Sequence, residues 1–408
     1  MCYIPREIES KFLEASESFR AVMVTGARQV GKSTMLKHLA EGQGRTVVTM
    51  DNTEDRQLAR RDPALFFQMY KPPILIDEIQ KAPELLEPIK IMCDESGERG
   101  RFWLTGSQSR KLARLAGDTL AGRMVTLKLY GLSQREKAGV IGIAPLDFSY
   151  GSLVERQKLF EPNDVRVVFE RIWRGGLPDA QGLSGGMLSV YFDSYVETYL
   201  MRDAVDDNGI QDTEGFRRFL RASAALAGEL LNYSALAQAA EVSVSTAKEW
   251  TKILVGMGIV YLLEPYSNNE LKRLVKTPKL YFCDTGLAAH LSMWPSPDVL
   301  MAGAASGRFF ENYVVMELVR GYGYGAARAD LTYYRDRDKR EIDLVIEEGR
   351  TLHPIEVKKA ATPRRDAIRQ FRLLDASGLE RGPGGVACMC GEPRPIDERD
   401  SLIPCNIL

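Results

Sequence analysis

Residues 20–34 read RAVMVTGARQVGKST, and the order of residue types in this stretch decides the fold. Arg20–Thr25 is short, apolar and rich in β-branched residues, the pattern of a buried parallel strand. The glycine turn Gly26–Thr34 follows, and MLKHLAE then has helical spacing. Strand, glycine loop and helix in that order frame a phosphate-binding loop. Gly26 and Gly31 let the backbone curl, so that N–H groups along Gly26, Ala27, Arg28, Gln29, Val30, Gly31, Lys32, Ser33 and Thr34 face phosphate oxygens. Lys32 is expected to reach the β- and γ-phosphates, and the Ser33 hydroxyl to ligate Mg²⁺. The helix opening near Lys32 adds its positive end. These residues predict a nucleoside-triphosphate site.

Two further runs extend the pattern. PILIDEI (Pro73–Ile79) is an aliphatic strand that delivers Asp77 at its tip, where a carboxylate can hold the magnesium through water. Glu78 is then placed to orient and deprotonate the attacking water. RFWLT (Arg101–Thr105) leads into GSQS. Its polar end is expected between the first two strands, with Thr105, Ser107 or Gln108 contacting the γ-phosphate or the water.

Walker A, the DE-type Walker B, a third strand ending in TGS and then LAGR (Leu120–Arg123) resemble the AAA-type ATPases of the AAA+ class. The specific resemblance is to a bacterial and archaeal branch with an uncharacterised C-terminal domain, the domain of unknown function 4143 type. It covers essentially the whole chain and is strongest over residues 20–130. The resemblance implies ATP as ligand and puts the TGS turn in the sensor-1 place, although this chain has no Asn there. It makes Arg123 a candidate γ-phosphate sensor or arginine finger, with a structural salt bridge as the alternative. Fingers in this class act across subunit interfaces, so it also implies a homo-oligomer.

Beyond Glu136 the pattern becomes irregular, and residues 137–165 are rich in Gly and Pro. Arg171–Ala180 and Met187–Ala204 read as helices around a glycine turn, an element suited to a lid over the nucleotide. Tyr233–Ala240, the turn Glu241–Ser243 and a helix to about Met257 read as helix-turn-helix, with Ser243 or Ser245 as the cap. Ile259–Leu263 and Lys279–Phe282 would form the hairpin of a wing. This arrangement resembles a winged helix, whose second helix would present Ser243, Ser245, Thr246 and Lys248 to double-stranded DNA. Lys272, Arg273 and Lys276 in the wing would add charge for phosphates.

The last hundred residues supply a second candidate chemistry. Period-two alternation puts Asp343 on one face with Glu341, and Glu356 on one face with Lys358. A hairpin of these strands would bring Asp343, Glu356 and Lys358 together. That D…ExK set resembles the restriction-endonuclease-like PD-(D/E)xK fold. The resemblance assigns Asp343 and Glu356 to a divalent metal, with Glu311 from the preceding helix as a further candidate, and gives Lys358 the hydrolytic water. An amphipathic hairpin with surface charges is the alternative.

Bulk properties set the limits. A chain of 408 residues with 45% hydrophobic and 27% charged residues describes an ordinary globular, multidomain protein. Net charge is −1, so no global basic field points to nucleic acid. There is no signal-peptide pattern and no apolar run long enough to span a membrane, and the expected compartment is the cytoplasm. Six scattered cysteines without CxxC spacing indicate neither a zinc site nor a disulfide framework.

The expected architecture is α/β: a P-loop parallel sheet at 1–140, a linker and helical lid at 141–210, a winged helix at 211–300, and a small restriction-endonuclease-like domain at 301–408. The expected function is ATP binding and hydrolysis with Mg²⁺, acting on or near DNA. The alternative is a nucleotide-dependent switch or scaffold for protein partners, with an inactive nuclease-like domain. A small-molecule kinase is disfavoured, since no acceptor-substrate motif is visible.

Overall fold

The aliphatic runs around the glycine loop lie side by side in a parallel sheet. The computed structural model describes residues 3–107, 119–162, 164–266, 277–325, 328–336 and 338–408. The chain divides into two units, Met1–Leu132 with Lys252–Ile259, and Ser133–Thr251 with Val260–Leu408.

In the first unit β1 (Ala21–Gly26), β2 (Thr46–Thr49), β3 (Ile74–Asp77), β4 (Phe102–Ser107) and β5 (Met124–Lys128) pair in the order β2-β3-β4-β1-β5. All four pairings are parallel. The third run is therefore β4, seated between β3 and β1 as expected. Registers of Gly26 with Ser107 and Ile76 with Leu104 carry the polar tips of β1, β3 and β4 to one edge. Ligands of open α/β sheets bind at such an edge.

Continuous aliphatic strands need cover on both faces, and they have it. Met23, Ile74, Ile76, Phe102 and Leu104 pack with Phe66 of one helix and with Leu86, Ile89 and Cys93 of another, Leu86–Glu95. On the opposite face Phe12 of α1 (Ile8–Ser18) meets Trp103 edge-on at 4.8 Å, and the Trp103 indole N–H donates to Ser16 Oγ at 2.7 Å. α2 (Lys32–Ala40) follows the glycine loop.

The second unit begins with a short helix, α3 (Gln134–Ala138), whose Ser133 and Glu136 form a capping box. Residues 141–210, expected as linker and lid, pack within this unit. Val168, Phe169 and Ile172 are the buried face of α4 (Val165–Arg174), which lies against α5 (Thr285–Leu291) and α6 (Pro297–Ala302). Sequence periodicity shows an amphipathic helix but not its partner.

Helix Thr213–Ala225, strand β6 (Glu229–Leu230), helix Tyr233–Ala240, helix Val244–Gly256 and hairpin β7 (Val260–Leu263) with β8 (Lys279–Phe282) follow in order. The three strands form a sheet in the order β6-β8-β7. Ser243 caps the second helix of the turn, its Oγ accepting from the Thr246 N–H at 3.0 Å. Lys272, Arg273 and Lys276 lie outside the described residues.

A seven-stranded mixed sheet closes the chain. β9 (Asp330–Arg335), β10 (Glu341–Glu348) and β11 (Thr351–Lys358) are antiparallel neighbours. β13 (Gly384–Cys388) and β15 (Asp400–Pro404) continue in parallel, and the short β12 (Glu380–Arg381) and β14 (Arg394–Pro395) complete it. α7 (Ser306–Tyr324) packs on β11. No helix among the described residues is long and apolar enough to cross a membrane.

Candidate functional site

The loop at the end of β1 owes its shape to close packing. A Cβ on Gly26 would lie 2.2 Å from the Leu129 carbonyl oxygen, so only glycine fits there. Gly31, at φ 96, turns the chain into α2, and Gln29 also takes a left-handed conformation at φ 61. Arg6 ties the loop from behind, with Nη1 donating to Val30 O and Nη2 to Tyr130 O, both at 2.7 Å. No local pattern announces Arg6, because its partners are distant in sequence.

Lys32 is only 5% exposed, and its ammonium lies across the loop, donating to Gly26 O at 3.1 Å and Ala27 O at 2.8 Å. Ser33 Oγ donates to Asp77 Oδ1 at 2.5 Å, and Thr105 Oγ1 to the same oxygen at 2.5 Å. Lys37 Nζ lies 3.6 Å from Asp77 Oδ2. The tips of β3 and β4 and the first turns of α2 thus meet at one buried carboxylate. Glu78 adopts φ 60, uncommon for a residue with a Cβ, and its N–H donates to Thr105 Oγ1 at 3.0 Å. Gln80 Nε2 reaches Glu78 Oε2 at 2.5 Å and Ser107 Oγ at 2.9 Å, while Gln80 Oε1 is buried with no hydrogen-bond partner. Gln80 was not singled out in the sequence, since a polar residue just past a strand end carries no distinctive pattern. Gln108 lies outside the described residues.

Hydroxyl and carboxylate oxygens at Ser33 and Asp77 suit a hard divalent cation, and the glycine loop with Lys32 suits phosphate. The residues fit a magnesium nucleotide. Arg123 is placed elsewhere. It precedes β5 beside Ala21, at the end of β1 opposite Gly26, and its guanidinium holds Asp94 at 2.6 and 3.0 Å. In its own chain Arg123 is a salt-bridged residue and is not at the phosphate loop.

In the second unit the structure brings together the four residues singled out near the C-terminus, Glu311, Asp343, Glu356 and Lys358. Asp343 sits where the β9–β10 register shifts, and its Oδ2 accepts from the Val357 N–H at 2.9 Å. Lys358 Nζ is 2.5 Å from Glu356 Oε1 and 4.0 Å from Asp343 Oδ2. A residue not anticipated, Lys279 of β8, stands among them. Its Nζ lies 2.6 Å from Glu341 Oε1, 2.9 Å from Glu311 Oε1 and 3.6 Å from Asp343 Oδ1. Tyr281 OH also donates to Glu311 Oε1 at 2.7 Å.

Burial opposes the Lys279 charge, but Glu311, Asp343 and Glu341 outweigh it and raise its pKa. Burial and then Asp343 push Glu311 up to about 7 and Glu356 up to about 8, against the nearby lysines. Among the described residues no group of three or more His, Cys, Asp or Glu side chains is arranged to hold a metal ion. The metal expected on Asp343 and Glu356 meets an ammonium already seated between carboxylates.

On the helix after the turn, Ser243 Oγ lies 2.7 Å from Ser245 Oγ and 2.8 Å from Thr246 Oγ1, and Lys248 Nζ lies 5.7 Å from the Tyr233 ring centroid. The forward residues therefore spend polar groups on one another.

Residues 18–138 match the AAA domain. The parallel sheet and glycine loop of the first unit are thus an AAA-type P-loop ATPase domain. Residues 166–298 match a domain of unknown function (DUF8612), and residues 306–408 another (DUF4143). Two uncharacterised mycobacterial proteins, Rv2008c of Mycobacterium tuberculosis and Mb2031c of Mycobacterium bovis, are each 27% identical over 373 residues. The similarity covers 91% of this chain and 77% of each of theirs. Among solved structures, the Walker-type ATPase PABY2304 of Pyrococcus abyssi aligns over 71% of this chain and 96% of its own, with TM-score 0.43 and 14% identity. A variant of Thermotoga maritima RuvB aligns over 62% and 86%, with TM-score 0.32 and 17% identity. The last residues matched by the AAA domain, after Leu132, fall in the second unit.

Proposed function

We propose that the AAA domain binds ATP with Mg²⁺ at Gly26–Thr34 and hydrolyses it, and that the second unit reads out the nucleotide state. The observation that carries this reading is the convergence of Ser33 and Thr105 on Asp77, beside a Glu78 held by Gln80. Loop N–H groups and Lys32 bind the phosphates. Ser33 and Asp77 would hold the magnesium, whose charge, when bound, offsets that of the phosphate oxygens. Glu78 orients the attacking water and takes its proton on a carboxylate oxygen. Thr105 and Gln80 are positioning residues, one for the Glu78 backbone and one for its carboxylate.

For the second unit, the Lys279 ammonium among Glu311, Glu341 and Asp343 supports the switch reading, in which this half docks partner proteins rather than cutting DNA. The helix-turn-helix order with its hairpin supports a winged helix. Its second helix offers only Lys248 and Lys252 as basic residues, thin provision for a phosphate backbone.

The test is ATP turnover by the full chain with Mg²⁺, with and without double-stranded DNA, beside Glu78→Gln. Glu78→Gln should keep ATP bound while turnover falls about 10²–10⁴-fold. Hydrolysis by this variant at the wild-type rate would remove Glu78 from the mechanism. Turnover indifferent to DNA supports the switch, and DNA-stimulated turnover overturns it.

A further inference from the structure

Lysine is almost never buried unless it is paired, yet Lys279 is 3% exposed at the first position of a strand. Its partners come from other elements, Glu311 from α7, and Glu341 and Asp343 from β10. A fourth carboxylate, Glu356 of β11, is only 9% exposed. One of its oxygens meets Lys358, and the other, Oε2, is buried without any hydrogen-bond partner. Glu341 is further held by Arg335 at 2.5 Å. Four carboxylates therefore face three cations, Lys279, Lys358 and Arg335. The Glu356 oxygen that nothing bonds is the place for a proton, which burial and Asp343 favour, and with that proton the set is balanced.

An all-oxygen donor set of this kind suits Mg²⁺ or Mn²⁺. A lysine ammonium is the one side chain compact enough to stand in for such an ion, because it is a point charge with three donors. A divalent ion on these oxygens would stand beside the Lys279 ammonium, and like charges at that range repel strongly in a buried site.

We propose that Lys279 is the built-in cation of this cluster: its ammonium takes the place of a divalent ion between Glu311, Glu341 and Asp343, and loss of that ammonium opens the same three carboxylates to a divalent cation. The wild-type unit is then assembled and charge-balanced without metal. The inference deepens the switch reading of the second unit and does not depend on the ATPase reading, since it is tested without nucleotide.

The experiment measures Mn²⁺ binding to the full chain by electron paramagnetic resonance, for wild type, Lys279→Met, Lys279→Arg and Asp343→Asn, and for Lys279→Met combined with Asp343→Asn. Comparison with Asp343→Asn subtracts any Mn²⁺ held at Ser33 and Asp77. Wild type and Lys279→Arg should bind no more Mn²⁺ than Asp343→Asn. Lys279→Met should gain one Mn²⁺ per chain and lose it again in the double variant, and added Mn²⁺ should raise its Tm. Lys279→Met combined with Glu311→Gln removes one acid along with the ammonium, and serves if the single variant does not fold. That variant should still gain Mn²⁺ through Glu341 and Asp343. Saturable Mn²⁺ binding by wild type that Asp343→Asn abolishes overturns the proposal. So does a folded Lys279→Met that remains blind to Mn²⁺.

Discussion

Replacing Gly26 with alanine tests whether loop placement controls turnover. The new Cβ would stand 2.2 Å from Leu129 O, whereas ordinary contact begins at 3.4 Å, so the two atoms must separate by about 1.2 Å. Leu129 cannot retreat freely. Its N–H donates to Thr25 O at 2.7 Å, and the next carbonyl, Tyr130 O, is held by Arg6. The displacement therefore falls on the loop, where Val30 Cγ2 is also 3.3 Å from the added atom. Overpacking of this kind costs about 1–3 kcal/mol of stability. A misplacement of roughly 1 Å near reacting groups lowers the rate about 10²-fold. Steady-state ATP hydrolysis beside thermal unfolding reads both effects. Gly97→Ala is the control, since a Cβ there meets nothing within 4 Å. A Gly26→Ala protein with wild-type turnover and wild-type Tm would refute the argument that this contact sets the loop.

Two further outcomes are expected. Arg123→Ala should leave basal ATP turnover unchanged in dilute solution and lower Tm slightly, because the bidentate contact is with Asp94 and not with the phosphate loop. A turnover deficit that grows with protein concentration would instead assign Arg123 to the site of a neighbouring copy. Glu356 has its pKa raised from 4.5 to about 8, so the folded chain holds this proton more tightly than the unfolded one. Its contribution to stability is complete below pH 4.5 and is lost as pH rises through about 8. Glu356→Gln cannot lose that proton, so its Tm relative to wild type should increase across this window; a Tm difference that stays constant with pH would contradict the shift.

The glycine loop, its helix and the Asp77–Glu78 pair were legible because their signals are local: β-branched runs, glycine spacing and acids at a strand tip. The position of β4 between β3 and β1 also followed from that pattern. The helix-turn-helix was readable for the same reason, with its cap narrowed to Ser243 or Ser245, between which the structure chose Ser243. In the last domain, period-two alternation brought Asp343, Glu356 and Lys358 together correctly.

What only the tertiary structure decided are the contacts between residues far apart along the chain. Arg6 reaches Val30 and Tyr130, and helix Val165–Arg174 finds its partners in helices Thr285–Leu291 and Pro297–Ala302. Arg123 finds Asp94 at the far end of the sheet. Above all, Lys279 enters the acidic cluster from a strand whose own sequence, KLYF, gives no hint of it. Periodicity reports which face of an element is apolar, but the charge that a buried carboxylate meets is set by whichever element packs against it.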